Sequence, residues 1–331
     1  MKKIFRVVQT DNNNFPPVLG RKDRKDFNCR LKVSKARTEE ETLRSCCRAH
    51  LVLATRGIFS RRVLEAMTDC IAIIRFGVGV ENIDLAAATD AGIIVANVPD
   101  FCAGEVADTV AAFILALNRK LFTLHRTVVE GKWDRRLARP IHRLKGKTLG
   151  LIGFGRIARA VADRMKGFGL KIIVYDPYLN KKGLKGYPVS PVSQDSLLKR
   201  SDFISLHVPL NKGTYHLLGE KQFSKIKRGA YLINTSRGKI IDETALLKAL
   251  KTGRLSGAAL DVLENEPPDR GNLLLGLNNV IVTPHFGSYS QEAFRELEDK
   301  VRQAAIAVLQ GRFPESIVNP EAKSKARIVR L

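Results

Sequence analysis

Short apolar runs recur along the chain, separated by stretches in which apolar residues return at helical spacing. In the first part these runs are HLVLAT (50–55), IAIIR (71–75) and GIIVAN (92–97), with TEEETLRSCCR (38–48) and SRRVLEAMT (60–68) reading as helices in the gaps. Brief, uniformly apolar strands are what a parallel sheet covered on both faces requires. A long helix is predicted over 103–130. A second series follows, with strands at KTLGLIGFG (147–155), LKIIVYD (170–176), FISLHVP (203–209), GAYLINTS (229–236), SGAALDV (256–262) and VIVTPH (280–285). Helices are predicted among them at 155–167, 195–199 and 242–252, and a last one at 290–310. This rhythm predicts an α/β protein made of two doubly wound domains.

Composition agrees with that picture and narrows the function classes. A chain of 331 residues is long for one core, and 44% hydrophobic content is ordinary for a globular protein. No apolar run approaches the roughly 20 residues needed to span a bilayer. The longest, 110–117, is followed by Asn118, Arg119 and Lys120. In the opening MKKIFRVVQT, Arg6 interrupts the apolar stretch and no small-residue cleavage site follows, so a cytoplasmic setting is expected. The five cysteines (Cys29, Cys46, Cys47, Cys70, Cys102) form no metal-ligand pattern and receive no function. The net charge of +23 is spread over small groups such as GRKDRKD, WDRRLARP and KSKARIVRL. A basic surface attracts polyanions, but no nucleic-acid-binding motif or aromatic-interleaved basic stretch accompanies it, so nucleic acid is not the expected partner.

The stretch LGLIGFGRIARAVADRM (149–165) reads as strand, glycine-rich turn and helix. Gly153 and Gly155 let the backbone approach a pyrophosphate, and the helix that opens at Arg156 and Ile157 offers free N–H groups and a positive dipole end. Ala158 stands where a third glycine is usual, a position that accepts alanine. Asp176, at the end of the next strand, can accept hydrogen bonds from ribose hydroxyls and repels a 2′-phosphate. The expected cofactor is therefore NAD(H), with Lys181 and Lys182 close behind as a softening influence.

Further along, HVPLNKGTYHLL, YLINTSRGKIIDETAL, GAALDVLENEPP and TPHFGS appear in an order that resembles the NAD-dependent D-2-hydroxyacid dehydrogenases. RFGVGVENIDLAAATDAGIIVANVPD extends the resemblance through the first half, so that it covers nearly the whole chain. KWDRRLARPIHRLKGKTLG (132–150) and GRFPESIVNP (311–320) look most like the subgroup related to the C-terminal-binding-protein corepressors. The resemblance implies a Rossmann NAD-binding domain at 101–288, inserted into a flavodoxin-like substrate domain made of 1–100 and 289–331. It also implies a homodimer formed through the cofactor domain.

Within that resemblance the residues acquire roles. Arg237, in NTSRG, presents a planar fork that can hold a carboxylate and polarise the adjacent carbonyl. His285, in TPHFG, is the natural acid–base group. Glu266 or Glu264 could pair with that imidazole, and the family's placement of its glutamate directly before proline selects Glu266. Val78 and Gly79 match a second carboxylate holder, where consecutive N–H groups make an anion nest. Asn97 and Asp261 match positions lining the substrate cleft and the nicotinamide amide. Thr109, Pro209, Thr235 and Ser236 match cofactor contacts. The expected reaction is reduction of a 2-oxo acid to a D-2-hydroxy acid. The alternatives are an NAD(H)-responsive corepressor-like binding protein, or a dehydrogenase of another anion such as phosphite.

Overall fold

In a computed structural model, which describes residues 4–10 and 15–330, the apolar runs become the strands of two separate parallel sheets. The chain divides into two units, Met1–Phe101 with Ser290–Leu331, and Cys102–Tyr289.

The first unit begins β1 (Phe5–Thr10), α1 (Arg21–Asp26), β2 (Cys29–Ser34), α2 (Glu39–Cys46) and β3 (Leu51–Ala54). It continues α3 (Arg61–Ala66), β4 (Ala72–Arg75), α4 (Leu85–Asp90) and β5 (Ile94–Ala96). Its strand order is β2-β1-β3-β4-β5, all parallel. The strand order reverses between β1 and β3, which is the flavodoxin-like arrangement. The sequence pattern predicts β3, β4 and β5 but not β1 or β2. On β2, Arg30 and Lys32 alternate with less exposed residues because this strand is a sheet edge, so no continuous apolar run marks it. On β1, the polar residues Gln9 and Thr10 are fully buried, and their side chains hold loop backbone: the Gln9 amide donates to Phe15 and Pro16 carbonyls and Thr10 Oγ1 to that of Arg56. A reading of hydrophobicity passes over both strands.

The second unit opens with α5 (Ala103–Arg119) and α6 (Leu121–Val129). The single helix predicted over 103–130 is thus two, broken at Lys120, which takes the left-handed conformation (φ 52°). Neither glycine nor proline marks the break, so the sequence carries no signal for it. Then follow β6 (Thr148–Ile152), α7 (Arg156–Lys166), β7 (Lys171–Tyr175), β8 (Val189–Pro191), α8 (Gln194–Arg200), β9 (Phe203–Leu206) and α9 (Glu220–Lys225). The series ends β10 (Ala230–Asn234), α10 (Glu243–Lys251), β11 (Leu255–Leu260) and β12 (Val280–Val282). The strand order is β12-β11-β10-β9-β6-β7-β8, all parallel, with the reversal between β6 and β9. This is the doubly wound Rossmann order extended by one strand. Only β8, a three-residue edge strand ending in proline, escapes the sequence pattern.

Both faces of this sheet are covered. Ile204, Leu206, Leu232 and Leu260 point into one core with Leu197, Phe223, Leu246 and Leu250 of the helices. Their neighbours Phe203, Ile233 and Ala259 point into the other, against Ile114 of α5 and Val161 and Met165 of α7. Successive strand residues go to opposite faces, and both sets are apolar, which is why the strands read as unbroken runs.

The last helix, α11 (Gln291–Leu309), belongs to the first unit. Ser290 caps it by accepting from Ala293 N at 2.9 Å. Ala293, Leu297, Val301, Ala305 and Val308 form its buried stripe, and it packs on β3 and β4.

Candidate active site

Parallel strands end together, and in the second unit their carboxyl ends carry almost every residue singled out in the sequence. Gly153 follows β6, Asp176 follows β7, and Pro209 lies three residues beyond β9. Thr235, Ser236 and Arg237 follow β10, Asp261 follows β11, and His285 lies three residues beyond β12.

The glycine turn is shaped for close approach. Gly153 has φ 88°, and a Cβ there would stand 2.6 Å from the His207 carbonyl oxygen, so only glycine fits. Gly155 precedes α7 and has open space where a Cβ would project. Arg156 and Ile157 form the first turn of α7, while Ala158 is fully buried in the core beneath it. Asp176 accepts from Phe154 N and from Tyr178 N, both at 2.9 Å, one on each carboxylate oxygen. The carboxylate is thereby anchored to the glycine turn, with acceptor capacity left on each oxygen. Thr235 Oγ1 and His207 Nε2, also on this edge, are covered polar atoms without a protein partner. An open cradle at a helix N-terminus, an anchored carboxylate and unpaired polar atoms fit a dinucleotide. The side chains of Lys181 and Lys182 lie outside the described residues.

Arg237, Glu266 and His285 form the second feature. His285 Nδ1 stands 2.7 Å from Glu266 Oε2, and Glu266 Oε1 accepts from Leu263 N at 3.2 Å. Burial alone would raise the Glu266 carboxyl. The hydrogen bond and charge of His285, the Leu263 N–H and the charge of Arg237 outweigh it and hold the group below the usual glutamate range. Arg237 Nη1 donates to the Ser236 carbonyl at 2.7 Å, and Ser236 Oγ donates to that of Leu206 at 2.5 Å. Glu264, the rival for the imidazole, faces elsewhere: its Oε1 accepts from Glu243 N at 2.9 Å and lies 3.2 Å from His216 Nε2.

Asp261 is 2% exposed, and its carboxylate accepts from Thr283 Oγ1 (2.6 Å), Phe286 N (2.8 Å) and Gly287 N (2.8 Å). Thr109 Oγ1, on α5, donates to the Gly287 carbonyl at 3.4 Å. Both residues therefore hold the loop that carries His285. Pro209 is exposed, and its carbonyl accepts from Thr214 Oγ1 at 2.6 Å.

Val78, Gly79 and Asn97 lie in the first unit, at the carboxyl ends of β4 and β5. Asn97 Nδ2 donates to the Val78 carbonyl at 2.7 Å, and its Oδ1 accepts from Ser316 Oγ at 2.8 Å. The amide of Asn97 thus braces the Gly77–Gly79 turn. Sequence reasoning missed Ser316, and also Gly238, His216 and Glu243 around the Arg237 and Glu266 loops. All four lie inside stretches quoted above, but nothing in their residue types or spacing marks them there.

Comparison with known proteins places the chain in a family. Residues 111–287 match the family described as D-isomer specific 2-hydroxyacid dehydrogenase, NAD binding domain. The chain is 42% identical over 278 residues to the glyoxylate reductase of Korarchaeum cryptofilum, covering 83% of each chain. It is 42% identical over 291 residues to the D-3-phosphoglycerate dehydrogenase of Methanocaldococcus jannaschii, covering 87% of this chain but only 55% of that one. It therefore spans about half the length of that relative. The crystal structure of a glyoxylate reductase from Paecilomyes thermophila superposes with a TM-score of 0.85 at 29% identity, over 96% of this chain and 99% of the other. A shared nucleotide-binding region, relatives aligned over most of this chain and a common two-sheet architecture lead to one conclusion: the chain belongs to the D-isomer specific 2-hydroxyacid dehydrogenase family and carries that family's NAD binding domain.

Proposed function

We propose that this protein is an NADH-dependent reductase that converts a small 2-oxo acid into the D-2-hydroxy acid. The observation that carries the reading is the 2.7 Å bond between Glu266 and His285 Nδ1, with Arg237 close enough for its charge to act on Glu266. Glu266 occupies Nδ1, so Nε2 is the nitrogen left to deliver a proton. Arg237 holds the substrate carboxylate in a fork of N–H donors and draws electron density from the neighbouring carbonyl. When bound at the Gly153–Gly155 turn, NADH supplies the hydride for C2 of the oxo acid. His285 gives its proton to the carbonyl oxygen as that bond forms, leaving the neutral imidazole and the hydroxy acid. In the first unit, the Gly77–Gly79 turn offers backbone N–H groups at Val78 and Gly79 to an anionic carboxylate. We assign 101–288 to the cofactor domain and 1–100 with 289–331 to the substrate domain. The stretches at 132–150 and 311–320 support a place near the corepressor-related subgroup. The named relatives, reductases and dehydrogenases, support the enzymatic reading. We also assign a homodimer, supported by apolar side chains such as Phe122 and Trp133 left exposed on the second unit.

The test follows NADH oxidation against glyoxylate, hydroxypyruvate, pyruvate and larger 2-oxo acids. His285→Ala should lower kcat by about 10²–10⁴-fold while NADH binding, read by fluorescence, is kept. Undiminished turnover in that variant would remove His285 from the mechanism.

A further inference from the structure

Glu243 and Glu264 lie 21 residues apart and exchange backbone contacts. Glu243 N donates to Glu264 Oε1 at 2.9 Å, and Glu264 N donates to Glu243 Oε1 at 2.7 Å. The remaining oxygen of Glu243 accepts from Asn272 Nδ2 at 3.0 Å. The two carboxylates thus clasp the start of α10 to the 262–267 loop in both directions.

The clasp lies directly between the catalytic groups along the chain. Arg237 is followed by Gly238, where a Cβ would stand 1.9 Å from the carbonyl carbon and oxygen of Leu263. The backbone next to Arg237 is therefore pressed against the backbone that leads into Glu266. Leu263 N in turn donates to Glu266 Oε1. A third segment joins at the same place: His216 N donates to the Lys239 carbonyl at 2.9 Å, and His216 Nε2 lies 3.2 Å from Glu264 Oε1. The titratable groups facing Glu264 are His216, from the loop before α9, and Glu243, from α10. Those facing Glu266 are His285 and Arg237.

We infer that Glu264 and Glu243 are positioning residues for the reaction, fixing the spacing of Arg237 and Glu266 and through Glu266 the orientation of His285. This rests on the reductase reading above. Neither carboxylate touches substrate. Without the clasp, the 262–267 loop keeps its close packing on Gly238 but loses the bonds that set its height against α10. Glu266 then stands farther from the imidazole, which loses the bond that fixes the plane of its ring and leaves Nε2 aimed at the substrate.

The experiment uses the full chain with Glu264→Ala, Glu264→Gln and Glu243→Ala. In Glu264→Ala, kcat for reduction should fall about 10- to 100-fold, the size expected of a small displacement of catalytic groups. A second readout needs no turnover: the Nδ1–H proton resonance of His285 in the ligand-free protein, assigned by its loss in His285→Ala, reports the 2.7 Å bond to Glu266. In Glu264→Ala it should move upfield as that bond lengthens. Glu264→Gln keeps an oxygen for Glu243 N–H, so it should recover both the wild-type kcat and the wild-type resonance. Glu243→Ala should repeat the alanine result. An unchanged resonance in Glu264→Ala would overturn the inference, and so would a glutamine variant that shifts as far, since charge rather than placement would then be at work. An upfield shift in Glu264→Ala beside a wild-type protein that reduces no oxo acid would refute the reductase reading alone. If Glu264→Ala fails to fold, Glu264→Asp, which shortens the side chain and breaks the same bond, carries both measurements.

Discussion

His285 sits in a backbone conformation that non-glycine residues adopt rarely, with φ 53°. Such a residue costs on the order of 1–3 kcal/mol and persists only where its surroundings over-determine it. Here they do: His285 N donates to the Asp261 and Thr283 carbonyls, and the next two N–H groups go to the Asp261 carboxylate. The buried Asp261 thus aims the imidazole through the backbone. His207 is a different histidine. Its Nε2 is covered and unpaired, and burial pushes the ring's pKa far below the usual histidine range. An unfolded chain takes up this proton below about pH 6.5 and the folded one does not, so stability is complete above that pH and declines on acidification. By pH 5 the loss should reach about 1–2 kcal/mol. Thermal melts of wild type and His207→Asn across this range check it: the variant should lose part of the acid-side slope, and identical slopes would mean that His207 does not contribute.

At the level of elements, what the sequence shows depends on where the relevant information resides. Strands β6, β7, β9, β10 and β11 are legible because both their faces are apolar, and β1 and β2 are not, because an edge and a buried polar pair break the pattern. The pairing of Glu266 with His285 beside Arg237 is legible because each side chain lies inside a distinctive motif. The Glu243–Glu264 clasp is invisible in the sequence, since it exists only once Gly238 lets two backbones meet. Asn97 falls between these cases: its position stands out, but its partner Ser316 comes from a segment more than two hundred residues away. That segment is tied to β5 a second time by Asn319, which accepts from Val95 N at 2.8 Å and donates to the Ile93 carbonyl at 3.0 Å. The turn at Val78, proposed to hold the substrate carboxylate, is therefore braced by the segment that carries Ser316 and Asn319. Ser316→Ala should raise KM for the oxo acid by about three- to tenfold, the worth of roughly one hydrogen bond, with kcat little changed. Equal KM values in steady-state kinetics would show that the turn holds its shape without the brace.

For the whole molecule, the net charge of +23 sets the conditions under which copies can meet. Like charges repel over a screening length of about 8–10 Å at physiological salt, so added salt should favour association rather than weaken it. The driving force for the proposed dimer is assigned to apolar side chains of α6 and the segment after it: Phe122 is 59% exposed and Trp133 91%. Sedimentation should show a dimer for the wild type, more complete in high salt, and a monomer for Phe122→Glu/Trp133→Glu. A monomeric wild type at micromolar concentration, or an unchanged double variant, would argue against a dimer through this face.

The insertion of one unit inside the other has a consequence for synthesis. The ribosome delivers β1 to β5 first, and then about 190 residues of the second unit, before α11 appears. At about 5–20 residues per second, that leaves the first sheet without its covering helix for roughly 10–40 s. During that time Phe15, which in the finished protein lies between Phe76 at 4.7 Å and Phe294 at 5.0 Å from ring centre to ring centre, has only Phe76. The second unit holds all of its own strands and helices and can fold while the first waits. The nascent chain thus carries a finished nucleotide-binding fold beside an open apolar sheet, and for those seconds it is a client for whatever chaperone binds bare hydrophobic surface.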